Sequence, residues 1–191
     1  ARFITGATLN VDGGVTAQIT AQQATNSYAK AGVMLRGSVD PAAPYYAALM
    51  TPQHGIRVQF RATQGGAMLN AATPAGVVPA YLRVSRVGQT FTAYVSADGA
   101  SWTPVPGSAR DLPGLAGAVL AGLADTSHNV AALSTVTFHA VTVVAGPTPG
   151  GCPAGWGCAD VGAVGLAGSQ SLTGGVWTVQ GAGADISVAP D

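Results

Sequence analysis

The chain has 191 residues and 18.8 kDa, with eight Lys and Arg against eight Asp and no Glu, so its formal charge is zero and its charged fraction only 8%. That balance excludes the basic footprint a nucleic-acid partner requires, while 48% apolar residues exclude a disordered chain despite 27 Gly and 12 Pro. Lys30 is the single lysine, and Gly, Thr, Val and Ser stand where surface helices carry Glu, Lys and Leu, which predicts an all-β architecture rich in turns.

Strand signals then follow at steady spacing. Val15, Ala17 and Ile19 alternate with polar residues, as do Ile56, Val58 and Phe60, then Leu82 and Val84, then Phe91, Ala93 and Val95, and finally Val136, Phe138 and Ala140. One apolar face per strand predicts a two-layer antiparallel β-sandwich. Asp98 and Gly99, between two such runs, suit the left-handed positions of a tight hairpin turn. Leu112 to Ala124 is apolar but holds three glycines, and it reads as a turn followed by a buried strand. No charge-free stretch is long enough without Gly, Pro, Ser or Thr to span a membrane as a helix. Ala1 in place of an initiator Met is read as the start of a processed or excised piece.

After Val144 the alternation stops, and residues 1–145 are taken as a sandwich body followed by a Gly/Pro linker over 146–159. Cys152 and Cys158 lie in that linker with no His nearby, so a local disulfide is a better reading than a zinc site or two inert thiols. Such a bridge implies an oxidising, extracellular setting. Residues 160–191 again carry strand patterns, Ser171 to Gly181 and Ala184 to Val188, but are too few for a core of their own. Residues 1–125 hold eight bases and five acids, net +3, whereas 126–191 hold three acids and no base, net −3.

The runs at 28–38, 45–62, 81–105 and 121–129 resemble, in order and spacing, the concanavalin A-like (laminin-G-like) jelly-roll modules of secreted bacterial hydrolases and surface proteins. Residues 159–186 resemble the opening strands of the same module, which normally precede the block found here at 1–36. The order is permuted. Reading Asp191 on into Ala1 places 16 residues between Ile186 and Asp12, about the spacing that the resemblance implies. The tail of one unit is therefore expected to complete the next, with Val176, Trp177, Val179, Asp185 and Ile186 on the assembling strands. The alternatives are a tandem polypeptide and a tail folded back on its own body.

Chemistry-bearing patterns are sparse. The serine-nucleophile elbow, phosphate-binding glycine loop, two-histidine zinc helix and CxxC motif are all missing from the sequence, and without Glu the chain lacks the carboxylate that concanavalin A-like glycosidases generally present. No enzyme is expected. Asp12, Asp98 and Asp125 read as turn residues, His54, His128 and His139 as turn or edge histidines. No cofactor is expected; related sandwiches sometimes hold calcium, but no loop shows a ligand-dense spacing. The leading functional expectation is a secreted repeating unit of an extracellular fibre or surface array, a head-to-tail homopolymer. The alternative is a carbohydrate-binding accessory module, with Tyr45, Tyr46, Arg57, Arg61, Tyr94 and Trp102 as glycan contacts.

Overall fold

Strands with one apolar side need a cover, and in the computed structural model, which describes residues 2–9, 12–145, 169–173 and 175–181, two sheets cover each other. The strands are β1 (Arg2–Leu9), β2 (Gly13–Gln22), β3 (Lys30–Arg36), β4 (Tyr45–Thr51), β5 (Gly55–Arg61), β6 (Leu69–Ala72), β7 (Ala80–Val87), β8 (Thr90–Ser96), β9 (Thr103–Pro104), β10 (Arg110–Asp111), β11 (Val119–Thr126) and β12 (Val136–Ala145). Sheet one runs β1, β11, β3, β4, β5, β6; sheet two runs β10, β8, β7, β2, β12, with β9 added beside β8. Every pairing is antiparallel. These strands belong to a compact unit, Ala1–Gly146.

The core holds most of the expected residues, with Val95, Val136 and Phe138 only partly buried and Val33 and Leu35 added from β3. Val15, Ala17, Ile19, Leu82, Val84, Phe91 and Ala93 from sheet two meet Val33, Leu35, Ile56, Val58 and Phe60 from sheet one, all buried. Full burial of each large aliphatic contributes roughly 1.5–3 kcal/mol. Leu112 to Ala124 forms the expected turn, a short 3₁₀ segment at Pro113–Leu115, and then β11.

Two local readings need correction, and one buried cation is new. Ala140 leaves the apolar face, because β12 bulges between His139 and Thr142 and puts Ala140 at a φ of 47°; Val143 then resumes packing. Asp98 and Gly99 do open a hairpin between β8 and β9, but its loop spans residues 97–102 instead of two. The Asp98 carboxylate gathers the N–H groups of Ala100 and Ser101 and the Ser96 hydroxyl, each at 2.8 Å, and so holds a wider loop, with Gly99 at a φ of 75°. Arg86, which shares the inward parity of Leu82 and Val84, is buried: its guanidinium donates to the carbonyls of Gly88, Ala116 and Gly117.

A second unit, Pro147–Asp191, contains the hairpin β13 (Ser169–Thr173) and β14 (Val176–Gln180), turned at Gly175 with a φ of 82°. Val176 and Val179 are exposed on it and Trp177 is half-buried. Cys152, Cys158, Asp185 and Ile186 lie outside the described residues.

Candidate ligand-binding face

β4 is buried on both sides, with Tyr46, Ala48 and Met50 toward the core and Ala47 and Leu49 beneath the outer face of sheet one. Register lays that outer face out in rows. One row holds Leu120, Arg36, Tyr45 and Arg61; the next holds Gly122, Met34, Ala47 and Gln59; the third holds Phe3, Ala124, Gly32, Leu49 and Arg57. Small residues occupy the middle of the sheet. A Cβ on Gly32 would run into the Ala48 carbonyl, and one on Gly122 into that of Ile4, so neither position accepts a side chain. Larger Phe3, Met34, Tyr45 and Leu49 surround this low floor as an apolar cluster, and a cleft of about 420 Å³ opens above it.

The rim of the cleft is cationic. Arg2, Lys30, Arg36 and Arg61 line it, and Arg57 stands beside Leu49 in the adjoining position; four of these bases share the outer face by register, and Arg2 joins them from the end of β1, so five of the chain's eight basic side chains gather at one cleft. Their hydrogen bonds run to main-chain carbonyls: Arg36 to Ser38 and Asp40, Arg61 to Pro41 and Ala43, Lys30 to Tyr28. These bonds hold the cations in place without neutralising them, although the Asp40 carboxylate acts on Arg36 from nearby. Rings back them up, with Arg36 5.5 Å from the Phe3 centroid, Arg61 5.5 Å from that of Tyr45, and Lys30 and Arg57 each 5.9 Å from that of Tyr28. Burial, then the neighbouring Arg57, lowers the pKa of Lys30; burial, then Arg61, lowers that of Arg36. Burial raises that of Tyr45, against the pull of Arg61 and Arg36.

Asp125 is the acid among the lining residues. Read from sequence as a turn residue, it sits within β11; its Oδ2 accepts from the Ser134 hydroxyl at 2.6 Å, while its Oδ1 is buried without a partner among the described residues. The Nε atoms of Arg57 and Arg61 are in the same condition. Buried polar atoms left unmatched in this way mark a place where a ligand or water completes the set.

The expected glycan contacts divide three ways. Tyr45, Arg57 and Arg61 belong to this face. Tyr46 is a correction: it turns into the core, where its hydroxyl donates to the Ser108 carbonyl at 2.7 Å, so it is closed to a ligand. Tyr94 lies on sheet two and Trp102 in the loop that follows β8, where Arg83 covers the Trp102 ring at 3.8 Å and Tyr81 meets it edge-on. Phe3, Arg36 and Tyr28 were not anticipated. Tyr28 stacks on His54 at 3.8 Å and stands 6.1 Å from His128, gathering both turn histidines at one end of the face. His139 is exposed on β12. Among the described residues, no three His, Cys, Asp or Glu side chains come together to hold a metal, and no helix is long and apolar enough to cross a membrane.

The fold has relatives of low identity. The chain is similar to a functionally unknown protein from Saccharomyces cerevisiae, at 18% identity and a TM-score of 0.54 over 74% of each chain. It is also similar to a GH43 protein from Bacillus licheniformis, at 13% identity and a TM-score of 0.56, over 70% of this chain and 27% of that one. A xylan β-1,4-xylosidase from Bacillus halodurans aligns at 16% identity over 66% of this chain and 26% of its own, with a TM-score of 0.47. No family model matches the sequence, and no curated protein matches it significantly. At these identities the likeness is one of fold alone.

Proposed function

We propose that residues 1–145 form a non-catalytic carbohydrate-binding sandwich of the concanavalin A-like kind, which holds a glycan along the outer face of sheet one. One observation carries this reading: the cleft joins an apolar, partly aromatic floor (Phe3, Met34, Tyr45, Leu49) to fixed polar groups at its rim (Gln59, Arg36, Arg61, Asp125). A sugar ring has the same division, with a C–H face for the floor and hydroxyls for the rim, and convergent polar groups above an apolar pocket are what fix a small ligand's orientation. Gln59 is held ready by its Nε2, which donates to the Asn70 side chain at 3.0 Å. The likeness to a GH43 protein is of fold, and the reading does not lean on it.

The test is a titration of the intact chain with a panel of oligosaccharides, followed by amide chemical shifts. Perturbation should fall on β3, β4, β5 and β11. Shifts confined to the Trp102 side of sheet two, or absent for every sugar, would overturn the assignment.

A second reading, the fibre or array unit completed by its neighbour's tail, has its own observation. The outermost strands β1 and β12 carry exposed Ile4, Val141 and Val144, and the hairpin residues Val176 and Val179 are 68% and 71% exposed. Edge strands with apolar surface are suited to strand addition by a second copy. Secretion accompanies both readings and rests on the expected Cys152 to Cys158 bridge.

A further inference from the structure

We infer that the glycan is acidic, and that Arg36, Arg61 and Arg57, with Lys30 beside them, receive its carboxylates. The inference rests on the carbohydrate reading of this face. It begins from a distribution: a chain of zero net charge with only eight bases places five of them around one cleft, with Asp125 as the lining acid. Like charges do not gather without a cost: burial first, and then the neighbouring Arg57, lowers the pKa of Lys30, as burial and then Arg61 lower that of Arg36. A neutral sugar offers nothing to offset that cost. A carboxylate does, and the planar guanidinium is the group that matches it in two parallel hydrogen bonds.

Arg36 and Arg61 stand in one row on either side of Tyr45, two strand spacings or roughly 10 Å apart at the backbone. Arg57 and Arg61 lie on one strand, four residues or about 13 Å apart. Three guanidinium positions spread along one row and one strand suit an oligosaccharide that carries several carboxylates. The remaining bases are engaged elsewhere: Arg83 over Trp102, Arg86 on three core carbonyls, Arg110 on the carbonyls of Gly107, Ala109 and Ala71. No basic track continues past the cleft, which separates this face from a nucleic-acid groove.

The experiment compares matched probes by calorimetry on the intact chain: oligogalacturonate, oligomannuronate and oligoglucuronate, each against its own methyl ester, in which the sugar is kept and the charge removed. At least one acid should bind about tenfold or more tighter than its ester, and weaken as salt rises from about 50 to 200 mM. Arg36→Gln and Arg61→Gln should each lower affinity for the acid about tenfold and leave the ester unchanged, while Arg83→Gln changes neither. Acid and ester bound equally would overturn the inference and leave the carbohydrate reading standing. No binding of any acid, ester or neutral oligosaccharide would overturn both. An oligonucleotide bound as tightly as the best uronate would overturn the inference in favour of general polyanion attraction. The probe comparison and the salt series use the unaltered protein, so they decide the matter even where a variant fails to fold.

Discussion

Arg61 stands over the ring of Tyr45, its guanidinium carbon 5.5 Å from the centroid, while Arg36 faces the same residue across the ladder between β3 and β4. Tyr45 thus stands between two cations that repel one another and gives Arg61 a π face, while Phe3 gives one to Arg36. Replacing it with Ala removes that separation together with part of the apolar floor. Tyr45→Ala should lower glycan affinity about tenfold and stability by about 1–2 kcal/mol, whereas Tyr45→Phe should change both little. Trp102→Ala, in the loop that follows β8, should leave binding untouched; calorimetry with the best-bound oligosaccharide checks all three variants.

Tyr46 has the opposite surroundings, buried in the core with its hydroxyl on Ser108, and burial pushes its pKa up to about 12 from the ordinary 10.0. A raised tyrosine value favours the folded state fully below the unfolded value and loses that advantage as pH climbs from about 10 to about 12. Urea unfolding should show stability falling by up to about 1.4 kcal/mol per pH unit in that window. In Tyr46→Phe that share of the slope should vanish, and at neutral pH the variant should be about 1–2 kcal/mol less stable, because the Ser108 carbonyl is left without its donor.

Asp98 is held well below the usual carboxylate range, first by the N–H groups of Ser101 and Ala100 and then by the Ser96 hydroxyl. A depressed acid supports the fold above its unfolded value and loses that support as pH falls below it. Asp98→Ala should therefore lower the Tm at neutral pH, and the gap from the parent should close as the pH drops below about 4. Melting curves across pH 2 to 7 check this; a gap that stays constant would show the loop is held by something else.

Gly32→Ala tests the floor of the cleft. Its Cβ would meet the Ala48 carbonyl within the ladder, so β3 and β4 must part to admit it. The cost should be about 3 kcal/mol, near the top of the overpacking range, measured by chemical denaturation. Gly65→Ala is the contrast: there a Cβ meets open space and only the φ of 69° is strained, so a smaller loss is expected.

Removing residues 160–191 tests assembly. If the tail completes a neighbouring unit, the truncated chain should aggregate or unfold, because the apolar residues on β1 and β12 lose their cover. A soluble, monomeric and cooperatively folding 1–150 fragment would argue against strand complementation. Boiling in denaturant distinguishes a non-covalent polymer, which should release a chain near 18.8 kDa, from a tandem polypeptide.

Val15, Ala17 and Ile19, or Ile56, Val58 and Phe60, needed only their neighbours to be read as strands with one buried side, because alternation is a local property of the chain. The same property is silent where both parities are apolar. Tyr45 and Tyr46 are adjacent on a strand buried on both sides, and only the packing of sheet two over Ala48 and Met50 decides which ring is sealed and which one lines a cleft. β1 carries no strand signal of its own, since Thr5, Gly6, Ala7 and Thr8 show no alternation; it exists through its ladder with β11, more than a hundred residues away. Arg86 follows the inward parity of its strand, but its burial depends on carbonyls of Ala116 and Gly117 that a different segment supplies. The cationic face is the furthest case. Lys30, Arg36, Arg57 and Arg61 are scattered singly along the sequence, and charge counting averaged them to zero; cross-strand register is what sums them on one surface, since it brings β3, β4 and β5 side by side. Local pattern sets which strands form and which side of most of them is buried, and the pairing of distant strands decides which charges become neighbours.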